Sequence, residues 1–230
     1  MKRNFSTTLR QFYDLMSAHH GKTHWWPGDT PFEICIGAIL TQNTAWTNVE
    51  KAIVNLKREK LLTPRAMLDA DPEVLEAALR PSGYFRQKAL RVRLFCQHLM
   101  DHYGGSVARM AKRPLAELRP ELLALKGIGP ETADDILLYA CEKPVFVVDA
   151  YTRRIFSRHG LVPGDIKYEA LRAFFEENLA HDVETFKEYH GLIVWTGKDF
   201  CKTRPNCEGC PLQGTLKHGQ PVGEARSTKG

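Results

Sequence analysis

Between Leu118 and Arg158 the chain ends one helix, turns within five residues and starts another, and this stretch restricts the fold more than any other. Leu118, Leu122, Leu123 and Leu125 give the first helix an apolar face. Lys126-Gly127-Ile128-Gly129-Pro130 ends it. Gly127 suits the left-handed position after a helix C-terminus, and Pro130 suits the first position of the next helix. Ala133, Ile136, Leu137 and Ala140 continue at helical spacing, and Pro144 stops that helix. Val145 to Val148 is an apolar, buried run, and Asp149 precedes a third helix opening Ala150-Tyr151-Thr152-Arg153-Arg154. Two glycines two apart let backbone N–H groups point outward at a helix N-terminus, a concavity that attracts phosphate. The same residues also serve as a plain helix connection, and Asp149 also reads as a favoured helix N-cap.

The rest of the chain is helical in pattern, so the fold class is all-α. Phe5 to His19 places Leu9, Phe12, Leu15 and Met16 on one side. A helix beginning at Pro31 carries Ile34, Ile36, Ile39 and Leu40, and the next carries Val49, Ile53, Val54 and Leu56. Asp71-Pro72-Glu73 caps a helix to Arg80. Arg86 to Tyr103 is a long helix with Leu90, Leu94, Cys96, Leu99 and Met100 apolar and with Arg86, Lys88, Arg91 and Arg93 at exposed positions. Later helices run from Tyr168 to Leu179 and from Val183 to Phe200, with His190 and Trp195 as core or lobe-interface residues. From Gly214 onward the polar, glycine-rich sequence reads as a frayed tail.

Composition narrows the partners. Hydrophobic content of 43% with 26% charged residues excludes a disordered chain. A net charge of +5 permits a polyanionic partner without demanding one. The longest apolar run, Ile34 to Leu40, is too short to span a bilayer, and Met1-Lys2-Arg3-Asn4 opens no signal core. The expected location is cytoplasmic. Cys35, Cys96 and Cys141 lie singly on apolar helical patterns, as buried thiols do, whereas Cys201, Cys207 and Cys210 are bunched as metal ligands are.

Leu125-x-Gly127-Ile128-Gly129, then Thr132-Ala133, then Val147-Val148-Asp149 resembles the helix-hairpin-helix motif and downstream catalytic aspartate of the endonuclease III superfamily of DNA glycosylases. The resemblance covers Pro31 to Cys210. It implies two helical lobes with a DNA-binding cleft between them: residues 31–142 carrying the hairpin, residues 1–30 plus 143–213 with a C-terminal cysteine loop, and a flexible tail at 214–230. The implied partner is double-stranded DNA holding a damaged base, met by a monomer at the nucleoid. Asp149 becomes the catalytic carboxylate, stabilising positive charge on the sugar and orienting water. Lys126, Gly127, Ile128, Gly129 and Arg153 become DNA contacts. Gln42, in the polar segment Leu40-Thr41-Gln42-Asn43-Thr44, becomes the residue set against the gap left by an everted base. That segment also reads as a capping loop.

Two departures from the family pattern matter. The lysine that attacks the sugar in bifunctional members falls at Glu131, and a carboxylate forms no Schiff base, so a monofunctional glycosylase is expected. Trp25-Trp26-Pro27, Arg80-Pro81-Ser82-Gly83 and Gly127-Ile128-Gly129-x-Glu131 look like the bacterial 3-methyladenine branch. Trp25, Trp26 and Trp46 would then face a cationic base, although adjacent loop tryptophans also serve to cover a helix end. The cysteine loop resembles the family's [4Fe–4S] loop with one ligand missing, because the fourth position falls on Leu216. His218 as a substitute, zinc held by three cysteines and a histidine, and an empty loop remain open. Alternatives of function are a glycosylase/AP lyase for oxidised pyrimidines, a mismatch-adenine glycosylase, and a non-catalytic DNA-binding module.

Overall fold

The computed structural model describes residues 5–216, 219 and 221–222. In chain order the helices are α1 (Ser6–His20), α2 (Pro31–Leu40), α3 (Trp46–Arg58), α4 (Pro64–Asp69), α5 (Pro72–Leu79), α6 (Phe85–Tyr103), α7 (Val107–Met110), α8 (Leu115–Leu123), α9 (Pro130–Asp135), α10 (Ala150–Arg158), α11 (Tyr168–Glu176) and α12 (Val183–Asp199). Among the described residues there is no strand, so the fold is all-α as the periodicity requires. None of the described helices is long and apolar enough to cross a membrane. The chain divides into two compact units, Trp26–Pro144 and the paired segments Met1–Trp25 and Val145–Gly230.

The unit Trp26–Pro144 is built around α2. Thr30 caps that helix by accepting the Glu33 N–H at 3.1 Å, and Pro31 takes the first position, where a missing N–H costs nothing. From Cys35 to Leu40 every residue is buried, so this helix has no solvent face. Val49, Leu56, Leu75, Leu79, Val92, Phe95 and Leu99 are buried in the same unit, where α3 and α6 pack on α2. The inward stripe of α6 differs from the expected one. Leu90 is 52% exposed, and Lys88, placed on the solvent side by the sequence reading, is 1% exposed. Lys88 shares its stripe with Val92, Phe95 and Leu99, whereas Leu90 lies with Arg93, Gln97 and Asp101, so helical phase sends the lysine inward. Arg91 and Arg93 are half-buried rather than exposed. The single thiols Cys35, Cys96 and Cys141 are buried, and burial pushes Cys96 and Cys141 up to about 12.

The second unit has an aromatic core. Phe12, Phe146, Phe156, Phe175, Phe186 and Tyr189 are fully buried, with Phe146 and Phe175 stacked at 4.0 Å. Such contacts add about 1 kcal/mol each beyond area burial. The Tyr189 hydroxyl donates to the Leu9 carbonyl at 2.7 Å, and the Phe5 N–H donates to Asn178 Oδ1 at 2.9 Å, so α1 and its N-cap are fastened to chain 180 and 173 residues later. Of the stretch expected to fray from Gly214, residues 214–216, 219 and 221–222 are described. Thr215 Oγ1 and His159 Nδ1 share a hydrogen bond of 2.9 Å, and the Val222 N–H donates to the Arg158 carbonyl at 2.8 Å. Residues 217, 218, 220 and 223–230, His218 among them, lie outside the described residues.

Candidate active site

The hairpin is shaped by its glycines. Gly127 has φ +90°, a conformation that a side chain would strain, and a Cβ there would stand 2.6 Å from Arg91 Cγ. Ile128 turns inward, 6% exposed, and its N–H donates to the Leu125 carbonyl at 3.0 Å. Gly129 is exposed with open space where a Cβ would sit, so another molecule's backbone can approach closely. Its carbonyl accepts the Ala133 N–H at 2.9 Å, the first bond of α9. Below the turn, Arg119 of α8 grips fully buried Asp134 of α9 through two bonds of 2.7 and 3.0 Å. This pair ties α8 to α9, and no sequence pattern announced it. Glu131 is exposed in the first turn of α9, and Lys126 is exposed before the glycines. The helix continues beyond Asp135 as a π-helical turn, Ile136–Ala140, a form found often at functional sites.

Gln42 belongs to the same unit and meets the hairpin. Its Nε2 donates to the Gly127 carbonyl at 3.0 Å and to Thr132 Oγ1 at 2.9 Å, while its Oε1 accepts from Arg91 Nη1. Two of the three candidate pocket tryptophans also come together here. The rings of Trp26 and Trp46 meet edge to face at 5.0 Å, and Tyr139 lies 5.1 Å from Trp26. Gly37 gives them room, because a Cβ would lie 3.4 Å from Trp26 Nε1 and 3.5 Å from Trp46 Cη2. Trp46 Nε1 donates to Glu50 at 3.0 Å. Trp25 falls in the other unit.

In that other unit Asp149 is the N-cap of α10. Its Oδ1 accepts the Thr152 N–H at 2.7 Å and the Thr152 hydroxyl at 2.8 Å, and the Thr152 oxygen accepts the Asp149 N–H in return. Its Oδ2 lies 3.8 Å from Nε2 of His190, which is 4% exposed on α12. Burial raises the Asp149 pKa, but His190 and the Thr152 N–H outweigh it and hold the carboxyl below its usual range. The group is a fixed carboxylate at neutral pH. The sequence placed His190 on α12 without linking it to Asp149, since one histidine at a helical spacing carries no such signal. The same helix seats Trp25: the Thr23 N–H and hydroxyl donate to Glu188 at 2.8 and 3.1 Å, and Gly191 leaves room for Trp25 Cβ, which an added Cβ would meet at 2.7 Å. Arg153, on the first turn of α10, is exposed.

The cysteine loop is held by α10. Arg154 donates to the Cys201 carbonyl at 2.8 Å, and Arg158 donates to Cys201 Sγ at 3.2 Å and to the Lys202 and Thr203 carbonyls. Cys201, Cys207 and Cys210 line one pocket with Leu216. Among the described residues no three cysteine, histidine or acidic side chains converge closely enough to hold a metal. The described residues supply three thiols and an apolar fourth position, which does not fit a four-ligand cluster.

A glycine hairpin with open space at Gly129, followed in the sequence by a buried apolar run and a helix-capping carboxylate, defines a helix-hairpin-helix protein. The chain belongs to the HhH-GPD superfamily of base excision DNA repair proteins, whose family model matches residues 36–181. It is a base-excision DNA repair glycosylase. It is 43% identical to "Putative DNA repair glycosylase MJ1434" of Methanocaldococcus jannaschii over 93% of this chain and 97% of that protein. It is 34% identical to endonuclease III of Thermotoga maritima over 80% of this chain and 81% of the relative. Among solved structures it resembles the H. pylori 3-methyladenine DNA glycosylase (MagIII) bound to 1,N6-ethenoadenine, with a TM-score of 0.72, 28% identity and coverage of 85% and 98%. An endonuclease III in non-covalent complex with DNA gives a TM-score of 0.79 at 26% identity, covering 93% and 96%.

Proposed function

We propose that this glycosylase is monofunctional and hydrolyses the N-glycosidic bond of alkylated purines such as 3-methyladenine in duplex DNA. Asp149 carries the reading. Breaking the bond leaves positive charge on the sugar, and a carboxylate locked in its ionised form stabilises that charge and orients water. The backbone around Gly127 and Gly129 engages DNA phosphates, with Lys126, Ile128 and Arg153 as further contacts, while Gln42 fills the gap left by the everted base. Glu131 stands where a Schiff-base lysine would act, so no amine is supplied at that position. Trp25, Trp26 and Trp46 supply electron-rich faces, which favour a base already cationic through alkylation. Such a base leaves readily and asks little activation of the enzyme.

A second reading, a glycosylase/AP lyase for oxidised pyrimidines, is favoured by the relatives named endonuclease III. One experiment separates the two. The protein is incubated with methylated duplex DNA, released bases are identified, and borohydride is added to a parallel sample. Release of methylated purines, strand breaks only after alkali, and no covalent protein–DNA adduct are expected. A borohydride adduct, or release confined to oxidised pyrimidines, overturns the first reading.

A further inference from the structure

The Gln42 amide is fixed at both ends. Its Nε2 faces the Gly127 carbonyl, which only accepts, and its Oε1 faces the Arg91 guanidinium, which only donates. A flipped amide would lose both bonds. Arg91 also crosses the hairpin, since a Cβ on Gly127 would lie 2.6 Å from its Cγ and Nε. One turn earlier on α6, Lys88 donates to the Leu40 carbonyl at 2.8 Å and the Ser82 carbonyl at 2.5 Å. Leu40 precedes Gln42 by two residues. One helix therefore grips the backbone leading to Gln42 through Lys88 and its side chain through Arg91. The arrangement costs folding free energy: burial first, then Arg91, lowers the Lys88 pKa to about 8. Two cations a turn apart, one of them buried, break a local rule in the way functional sites do.

We propose that Arg91 and Lys88 are positioning residues that present Gln42 to DNA in one preset orientation. The proposal rests on the reading of Gln42 as the gap-filling residue. A free glutamine side chain loses rotamer freedom on insertion, and a preset one has already lost it, which is worth roughly tenfold in affinity.

The test is a double-mutant cycle on binding to a duplex containing a tetrahydrofuran abasic site, which has no base to release and so does not depend on the lesion. Gln42→Ala should weaken binding about tenfold, Arg91→Met should weaken it by a similar factor, and the double variant should be no weaker than Gln42→Ala alone. On undamaged duplex Arg91→Met should bind within about twofold of the parent, with an unchanged salt slope. Lys88→Arg should bind as the parent and Lys88→Met should not; if Lys88→Met fails to fold, the Arg91 cycle decides. Additive losses, or an equal loss on undamaged duplex, overturn the proposal while leaving the Gln42 reading intact. Parent-like binding by Gln42→Ala overturns that reading and the proposal with it.

Discussion

Asp149→Asn separates the two things this side chain does. As an N-cap, its Oδ1 accepts from the Thr152 N–H at 2.7 Å and the Thr152 hydroxyl at 2.8 Å, and an asparagine oxygen can take both bonds. Asparagine caps as well as aspartate, so the loss of stability should stay below about 1 kcal/mol, against roughly 1 to 2 for Asp149→Ala. The charge does not survive. Removing one preorganised electrostatic group from a site costs about 3 to 4 kcal/mol of barrier, or roughly 10²- to 10³-fold in rate. The depressed carboxyl pKa means the native state holds fewer protons than the unfolded chain at acid pH. Its stabilisation is therefore present above the ordinary value of 3.8 and is lost as pH falls through the lower native value. From about pH 5 to about pH 8 neither side chain titrates at position 149 itself. The assay is single-turnover release from methylated duplex, run beside thermal unfolding and binding to the tetrahydrofuran duplex. Asparagine should bind and melt like the parent and release bases at least about a hundredfold more slowly. Release at the parental rate would refute the catalytic role and leave Asp149 as a cap alone.

Three further outcomes follow from the geometry. Glu131→Lys places an amine at the family's lyase position, and borohydride should then trap the variant on damaged duplex while the parent stays free; an untrapped variant means that the position does not reach the sugar. Arg119→Met takes both guanidinium bonds away from fully buried Asp134, so urea unfolding should show a loss of about 3 to 5 kcal/mol, and a loss under about 1 would deny the pair its place between α8 and α9. Lys88 has a native pKa of about 8 against 10.5 unfolded, lowered first by burial and then by the Arg91 charge. The unfolded chain binds more protons between those values, so this group makes stability rise with pH across that window. The melting temperature of the parent relative to Lys88→Met should increase from pH 8 toward pH 10, and a flat or falling difference contradicts the burial of a strained amine.

What the sequence determined by itself is local. The hairpin could be read because Gly127 and Pro130 impose backbone angles that need no distant partner. Thr30, Asp71 and Asp182 cap helices with bonds spanning two or three residues, and Asp149 was found by the same logic. The three buried thiols followed from helical phase. Tertiary structure decided the rest. Lys88 looked solvent-facing because cations usually are, and only carbonyls from two other segments made its burial tolerable. Gln42 meets the hairpin across 85 residues, Arg91 meets Gln42 across 49, and Arg119 meets Asp134 across 15. His190 stands beside Asp149 because α12 packs on α10, with Gly197 leaving room for Tyr151. A periodic pattern records which side of a helix is apolar; it does not record which helix lies opposite. Partners for buried charge are chosen only when the chain closes on itself.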